Sequence, residues 1–234
     1  EGTACGSASA RTDSGNVIVT IPLSEIHLWE AGAGRLYDLQ LSFGDDKVSS
    51  YFGLREVKLD GYRFLINGKS VFQRLILDQG FYPDGIYTAP SDEALVNDIR
   101  LSMAAGFNGA RLHQKVFEPR FLYHCDRLGY LAWGEMANWG FDHSSYSGYE
   151  AFIPEWILGW CPFNETWDFE GRRQIDSLLA LTWKITKQYD TTRPCIDTSG
   201  NYHVVTDIFD VHDYEQDPEA FAATYEPFKN GTGV

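Results

Sequence analysis

From about residue 60 onward, short apolar segments alternate with helical segments, and this alternation restricts the fold more than any other feature. Strands are predicted at residues 70–78, 108–112, 130–135, 157–165, 193–200 and 207–214. Strands joined through helices pair in parallel, because each crossover returns the chain to the same end of the sheet. The pattern therefore predicts an α/β fold with a parallel sheet, either an open doubly wound sheet or a (β/α)8 barrel.

The helices between these strands have recognisable ends. The first is predicted at 91–106, with Ser91 as its N-cap and Gly106 at its stop. Others are predicted at 118–129 and 171–190, the latter long and amphipathic. These local signals support the strand–helix alternation independently of the apolar pattern.

The first part of the chain, up to about residue 59, has the pattern of β-strands in place of the strand–helix alternation. Residues 16–23 and 35–43 have the length and apolar pattern of strands, and residues 45–61 supply a turn and a further strand. Short strands at this spacing are typical of a sandwich. We therefore expect part of an all-β, immunoglobulin-like sandwich domain at 1–59, followed at 60–234 by a catalytic barrel domain that is incomplete, with about six strands, and truncated before strand seven.

Polar residues follow the predicted strands at their carboxyl ends. They are Asp78, Arg111, Glu135, Asn164, Glu165, Asp197, His212 and Tyr214. In a barrel these ends converge on one active site, whereas in an open sheet they would spread along an edge. This distribution favours the (β/α)8 barrel.

The net charge of −14 bears on the partners of the protein. No basic stripe is present to neutralise phosphates, and no polybasic patch is present to bind a membrane surface. The chain has no run of about 18 apolar residues that would span a bilayer. We therefore expect neither nucleic acid nor membrane as a partner, while a homo-oligomer stays open. The first residues show no signal peptide, so cytoplasmic, periplasmic and secreted locations all stay open.

Metal and cofactor sites are not indicated. The four cysteines, Cys5, Cys125, Cys161 and Cys195, have no CxxC spacing, and most lie in apolar segments, so we expect buried free thiols. The histidines form no HxH or HExxH pattern, which disfavours a metal-dependent hydrolase. We assign no metal and no cofactor.

Glu165 is the sharpest candidate for chemistry. It ends an apolar segment flanked by aromatic residues, and such surroundings raise the pKa of a carboxyl that must act as an acid. Aromatics make up 15% of the chain, and sugars stack on such rings. The alternative interpretation is that Asn164 and Glu165 merely lead into the next helix.

Three segments together resemble glycoside hydrolase family 2, which contains β-galactosidases, β-glucuronidases and β-mannosidases. They are YFGLREVKLDGYRFLINGKSVFQRLILDQG, DIRLSMAAGFNGARLHQKVFEPRFLYHCDRLGYLAWGE and GWCPFNETW. The first is similar to the family's passage from its immunoglobulin-like domain into its barrel. The Asn-Glu pair in the third is similar to the family's acid/base signature.

The resemblance implies a retaining double displacement by two carboxylates. Glu165 matches the general acid/base, Asn164 a contact to the sugar 2-hydroxyl and Arg111 an arginine that orients the nucleophile. Tyr214 resembles a tyrosine that hydrogen-bonds the nucleophile. Further candidates for the sugar pocket or its surroundings are Asp78, Gln114, Glu135, Asn138 and His212.

The sequence departs from the family in two places. No Glu ends an apolar strand after residue 214, and the comparison with the family predicts that about a dozen residues are missing before Ile157. We therefore expect the chain to be part of a larger protein, with the nucleophile outside it. The expected function is hydrolysis of terminal β-linked sugars from oligosaccharides or glycoconjugates, with β-galactosides as a first guess. The alternative is a non-catalytic carbohydrate-binding relative.

Overall fold

A computed structural model of the chain describes residues 2–13, 15–61, 63–135, 159–166, 174–200 and 202–229. The chain divides into two compact units. The first comprises Glu1–Gly134 and Pro154–Gly159, and the second comprises Glu135–Ile153 and Trp160–Val234. The domain boundary expected near residue 59 stays a prediction.

The first unit begins with antiparallel strands. Strands β1 (Tyr37–Phe43) and β2 (Asp46–Phe52) form a hairpin, and β3 (Val57–Asp60), β4 (Arg63–Ile66) and β5 (Lys69–Ser70) form a three-stranded sheet. The strand predicted at 35–43 is confirmed.

The strand predicted at 16–23 is wrong, because these residues form no ladder with any described segment. Ile18 is 96% exposed, and Val17 and Val19 are exposed as well. An extended apolar segment gains little when no neighbouring strand pairs with its backbone and covers its side chains. Its apolar character therefore did not suffice to make it a strand.

A parallel sheet follows in the same unit. Strands β6 (Leu75–Asp78), β7 (Gly109–Leu112) and β8 (Leu131–Glu135) pair in that order, and the register places Gly109 opposite both Leu75 and Leu131. This confirms the parallel arrangement predicted from the strand–helix alternation. The two crossovers are helices α1 (Asp92–Ala104) and α2 (Pro119–Leu128).

The caps of these helices are those that the sequence predicts. Ser91 accepts a hydrogen bond from the backbone N–H of Ala94 at 3.3 Å, and Gly129 ends α2 with φ +74°. The core of the unit lies where the helices cover the sheet. Its most buried apolar side chains include Leu95, Ile99, Leu112, Phe121, Leu122 and Leu131.

The second unit contains short strands and two helices. Strands β9 (Gly159–Cys161) and β10 (Phe163–Asn164) lie on either side of Pro162, which has no N–H to donate and interrupts the predicted strand 157–165. Strand β11 (Thr198–Ser199) pairs in parallel with β10. Helices α3 (Asp176–Tyr189) and α4 (Pro218–Lys229) complete the described part of this unit.

Two strand predictions for this unit need correction. The strand predicted at 193–200 is reduced to β11 and an isolated parallel bridge between Cys195 and Trp160. Residues 207–214 form no strand at all. The backbone N–H of Asp207 donates to Cys195 O, and the carbonyl oxygen of Asp210 accepts from the ring of His203, so these groups have partners outside any ladder.

The fold is thus mixed α/β with a parallel sheet. A closed (β/α)8 barrel and an immunoglobulin-like domain stay predictions. Over the described ranges, no helix combines the length and apolar character needed to cross a bilayer.

Candidate active site

Glu165 stands directly after β10, the strand whose two residues are almost completely buried. Phe163 is 1% exposed and Asn164 is 2% exposed. The Glu165 backbone donates to Ser199 O at 2.9 Å, and its φ of +47° lies in the left-handed region. A non-glycine residue there is strained by about 1–3 kcal/mol, and such strain is concentrated at functional sites. The chain thus holds Glu165 in a costly conformation at the carboxyl end of a parallel strand.

Two side chains contact the same oxygen of the Glu165 carboxyl group. The Tyr214 hydroxyl donates to Oε1 at 2.6 Å, and His212 Nδ1 forms an ion-pair contact with the same atom. The Glu165 side chain keeps 26% of its surface exposed. The carboxyl group is therefore fixed on one side and accessible to solvent.

A second row of polar groups holds His212 from its other nitrogen. His212 Nε2 lies 2.9 Å from Ser199 Oγ, and Ser199 Oγ donates to Asp210 Oδ2 at 2.6 Å. Gly200 permits this approach, because a Cβ at that position would overlap the His212 ring. The imidazole is thus held through both nitrogens in one orientation.

His203 joins Asp210 to a further buried carboxylate, Asp197. His203 Nδ1 lies 2.7 Å from Asp197 Oδ1, and Nε2 lies 3.2 Å from Asp210 Oδ1. Burial alone would lower the pKa of His203, but its hydrogen bonds to the two carboxylates raise that pKa to about 10. Burial would raise the pKa of each carboxyl, yet the His203 contacts and hydrogen-bond donors around each one lower it. At neutral pH this part of the network is an imidazolium between two carboxylates.

Three of the predicted site residues lie in the first unit. Arg111, in β7, places Nη2 at 3.1 Å from His113 Nδ1, and Gln114 adopts a left-handed φ of +54° just after the strand. Asp78, at the end of β6, accepts a hydrogen bond from the Gly80 N–H at 2.8 Å, and burial raises the pKa of its carboxyl. The substrate contacts expected for these three residues stay predictions.

Asp78 also lines a cavity of about 440 Å3 between β6 and α1. Asp98 of α1 lines the same cavity, and its charge adds to the rise of the Asp78 pKa. Most of the remaining lining is apolar. Asp78 thus borders a mainly apolar cavity.

The remaining predicted residues divide between described and undescribed positions. Glu135, at the end of β8, is 2% exposed. Asn138 lies outside the described residues. The resemblance predicted a nucleophile as the partner of Tyr214; here the Tyr214 hydroxyl donates to Glu165.

Sequence reasoning missed three residues of the network around Glu165: Ser199, His203 and Asp210. Ser199 ends a parallel strand, and that position alone could have marked it as a site residue. No pattern in the sequence singles out His203 or Asp210, because their partnership depends on how the loop 202–212 folds back.

Among the described residues, no three His, Cys, Asp or Glu side chains are grouped so that they could hold a metal ion. The four cysteines are thiols outside any disulfide, and Cys125, Cys161 and Cys195 are buried, as the sequence predicts.

Comparison with known proteins gives both sequence relatives and structural neighbours, although no family model matches the chain. The chain is 26% identical over 153 residues to a β-galactosidase of Arthrobacter sp. (strain B7), and the match covers 62% of this chain and 14% of the relative. It is 28% identical over 108 residues to a β-galactosidase of Lactococcus lactis subsp. lactis (strain IL1403), covering 44% and 11%.

Solved structures are also similar to this chain. A β-glucuronidase of Parabacteroides merdae matches with a TM-score of 0.71 at 17% identity, over 92% of this chain and 30% of that one. A family 2 β-galacturonidase of Eisenbergiella tayi, solved with galacturonate, matches with a TM-score of 0.61 at 19% identity, over 78% and 35%. The resemblance to glycoside hydrolase family 2 is confirmed. At these identities the structural matches support the fold alone.

The extent of the match sets what can be transferred from the family. The chain spans 11–14% of these two curated relatives and 30–35% of these two structural neighbours. The activity, substrates and partners of the whole protein are therefore a matter of proposal.

Proposed function

We propose that this chain is part of a retaining β-glycosidase that hydrolyses terminal β-linked sugars, with Glu165 as the general acid/base. The observation that carries the proposal is the placement of Glu165. It follows a buried parallel strand in a strained conformation, beside Asn164, with Tyr214 and His212 on one carboxyl oxygen. Relatives with glycosidase names in both comparisons give the reaction class.

The chemistry follows from the two steps of a double displacement. In the first step a carboxylate attacks the anomeric carbon, and Glu165 gives its proton to the leaving oxygen. In the second step Glu165 takes a proton from the water that attacks the glycosyl-enzyme. Tyr214 donates a hydrogen bond to Glu165 Oε1 and would stabilise the carboxylate formed between these steps.

The other groups have supporting roles in this proposal. The nucleophile, a second carboxylate at about 5–5.5 Å from Glu165 in retaining enzymes, would be supplied by a part of the protein outside this chain. Asn164 would bind the sugar 2-hydroxyl, and Arg111 would orient the nucleophile. Asp78, Gln114, His212 and Asn138 would line the sugar pocket or its surroundings.

The test is a comparison of leaving groups in the full-length protein that carries this chain. In Glu165→Gln, hydrolysis of glycosides with poor leaving groups should fall by about 10²–10⁴-fold, the usual contribution of general acid catalysis. Aryl glycosides with good leaving groups should be affected far less in the first step, because they need no proton to depart. Initial rates on a series of aryl β-glycosides measure both effects.

The matched control is Glu219→Gln, because Glu219 is an exposed carboxylate in the first turn of α4. It should keep the wild-type rates on every substrate. Full activity of Glu165→Gln on natural glycosides would eliminate the assignment of the acid/base. Sugar binding without hydrolysis by the wild type would favour the alternative, a carbohydrate-binding relative that is not catalytic.

The identity of the sugar needs a substrate panel. β-Galactosides come first, because the curated relatives described above are β-galactosidases, and β-glucuronides come second, because of the structural neighbours. The aglycone series should be run on the sugar that gives the highest kcat/KM.

A further inference from the structure

A continuous row of six polar side chains runs inward from Glu165. Glu165 contacts His212, His212 contacts Ser199, and Ser199 contacts Asp210. Asp210 in turn contacts His203, which contacts Asp197. Ser199 and Asp197 are completely buried. The charge of Asp210 determines the direction of the hydrogen bonds between Asp210 and Glu165.

Asp210, the fourth member of the row counted from Glu165, is an anion. The ion pair with His203 and the N–H of Gly200, which donates to Oδ1 at 3.2 Å, keep Asp210 a carboxylate. An ionised carboxylate only accepts hydrogen bonds. The Ser199 hydroxyl must therefore donate its single proton to Asp210 Oδ2, and this fixes the orientation of its O–H bond.

The orientation of the Ser199 hydroxyl then determines which ring nitrogen of His212 carries a hydrogen. Because its proton points at Asp210, Ser199 Oγ can only accept from His212, so Nε2 of His212 must carry a hydrogen. The contact between His212 Nδ1 and Glu165 Oε1 must then hold one shared proton, since a bare ring nitrogen facing a carboxylate would repel it. That proton lies either on Glu165, beside a neutral imidazole, or on His212, beside a carboxylate.

We propose that Ser199 and Asp210 are positioning residues that hold His212 in the form protonated at Nε2, so that its Nδ1 shares with Glu165 the proton used in glycoside cleavage. The kinetic part of this inference rests on the proposed function. The proton of the pair goes to the leaving oxygen in the first step, and the attacking water returns one in the second. The Nε2 proton stays in place throughout.

The first test does not depend on activity. Histidine in the full-length protein is labelled with ¹⁵N, and the His212 signals are assigned by their loss in His212→Gln. We expect a protonated Nε2 at every pH at which the protein is folded. In Ser199→Ala, which removes the acceptor, an unprotonated Nε2 should appear in a measurable fraction. A bare Nε2 in the wild type, or an unchanged tautomer in Ser199→Ala, would overturn the proposal.

The second test is the pH dependence of kcat/KM on a substrate with a poor leaving group. The titratable groups in the row are Glu165, His212, Asp210, His203 and Asp197, and Tyr214 faces Glu165 from outside it. Ser199 and Asp210 stabilise the protonated form of the pair, so Ser199→Ala and Asp210→Asn should each move the alkaline limb to lower pH. The expected movement is about one pH unit, with about a tenfold loss of kcat/KM, the effect of one hydrogen bond to a charged group.

The control is Ser102→Ala, another buried serine whose hydroxyl hydrogen-bonds a side chain, here Tyr130 at 2.6 Å. It should lose stability but keep the wild-type pH profile. If Ser199→Ala only lowers the melting temperature and leaves the alkaline limb unmoved, its role is structural and the proposal fails. If the wild type cleaves no glycoside, the proposed function fails, and the ¹⁵N spectra alone decide the tautomer.

Discussion

Gly200→Ala tests whether the close approach of His212 to the chain controls the geometry at Glu165. Gly200 follows β11 with φ +77°, a left-handed conformation that L side chains rarely adopt. A methyl group built on it would overlap Cγ, Cδ2 and Nδ1 of His212. To relieve this overlap the imidazole must move, and it would then lose its contacts with Glu165 and Ser199.

The size of the effect has two parts. An alanine in the left-handed region costs about 1–2 kcal/mol. Forcing a methyl group into a packed site costs about 1–3 kcal/mol more. We therefore expect Gly200→Ala to lower the free energy of unfolding by about 2–5 kcal/mol.

Gly106→Ala is the matched control. Gly106 also has a positive φ, +95°, but nothing lies within 4 Å of the position that its Cβ would occupy. This variant should lose only the conformational part, about 1–2 kcal/mol. The difference between the two variants isolates the overlap with His212.

Urea unfolding of the full-length protein measures the stability, and kcat on a substrate with a poor leaving group measures the site. Gly200→Ala should lose both stability and kcat, while Gly106→Ala should lose stability alone. If Gly200→Ala is no less stable than Gly106→Ala, the close packing of His212 against Gly200 is refuted.

Two further predictions concern stability. Burial would raise the pKa of Asp190, but hydrogen bonds from Thr192, Trp160 and Arg193 lower it. The Asp190 carboxylate therefore stabilises the folded state above the ordinary Asp pKa of about 3.9, and this stabilisation is lost as the pH falls. Asp190→Asn should cost about 3 kcal/mol at pH 7, and this difference from the wild type should shrink in urea unfolding below about pH 4; a constant difference would contradict the ion pair as its source. Leu179 has 0% of its surface exposed, so Leu179→Ala should lower the free energy of unfolding by about 2–5 kcal/mol. Leu181→Ala, at 44% exposure, should lower it far less. Equal midpoints of the two variants in thermal unfolding would contradict the packing of α3.

Local signals in the sequence were sufficient for much of the architecture. Ser91 and Gly129 mark helix ends, and short apolar runs between helices mark the parallel strands β6 to β8. These features depend on neighbouring residues and on the period of the apolar pattern, so a single chain contains them. The same reasoning placed Glu165 at the end of a strand.

The surroundings of Glu165 were decided by the tertiary structure. His212 is 47 residues from Glu165 in sequence, and Ser199 and Asp210 reach it only because residues 202–212 form a folded loop in place of the strand predicted at 207–214. Apolar alternation could not predict this, because the polar groups of the loop take hydrogen-bond partners that a ladder would otherwise supply. The sequence by itself determined which carboxyl group stands at the strand end. Only the fold decided which side chains hold it, because those contacts join segments that no local pattern links.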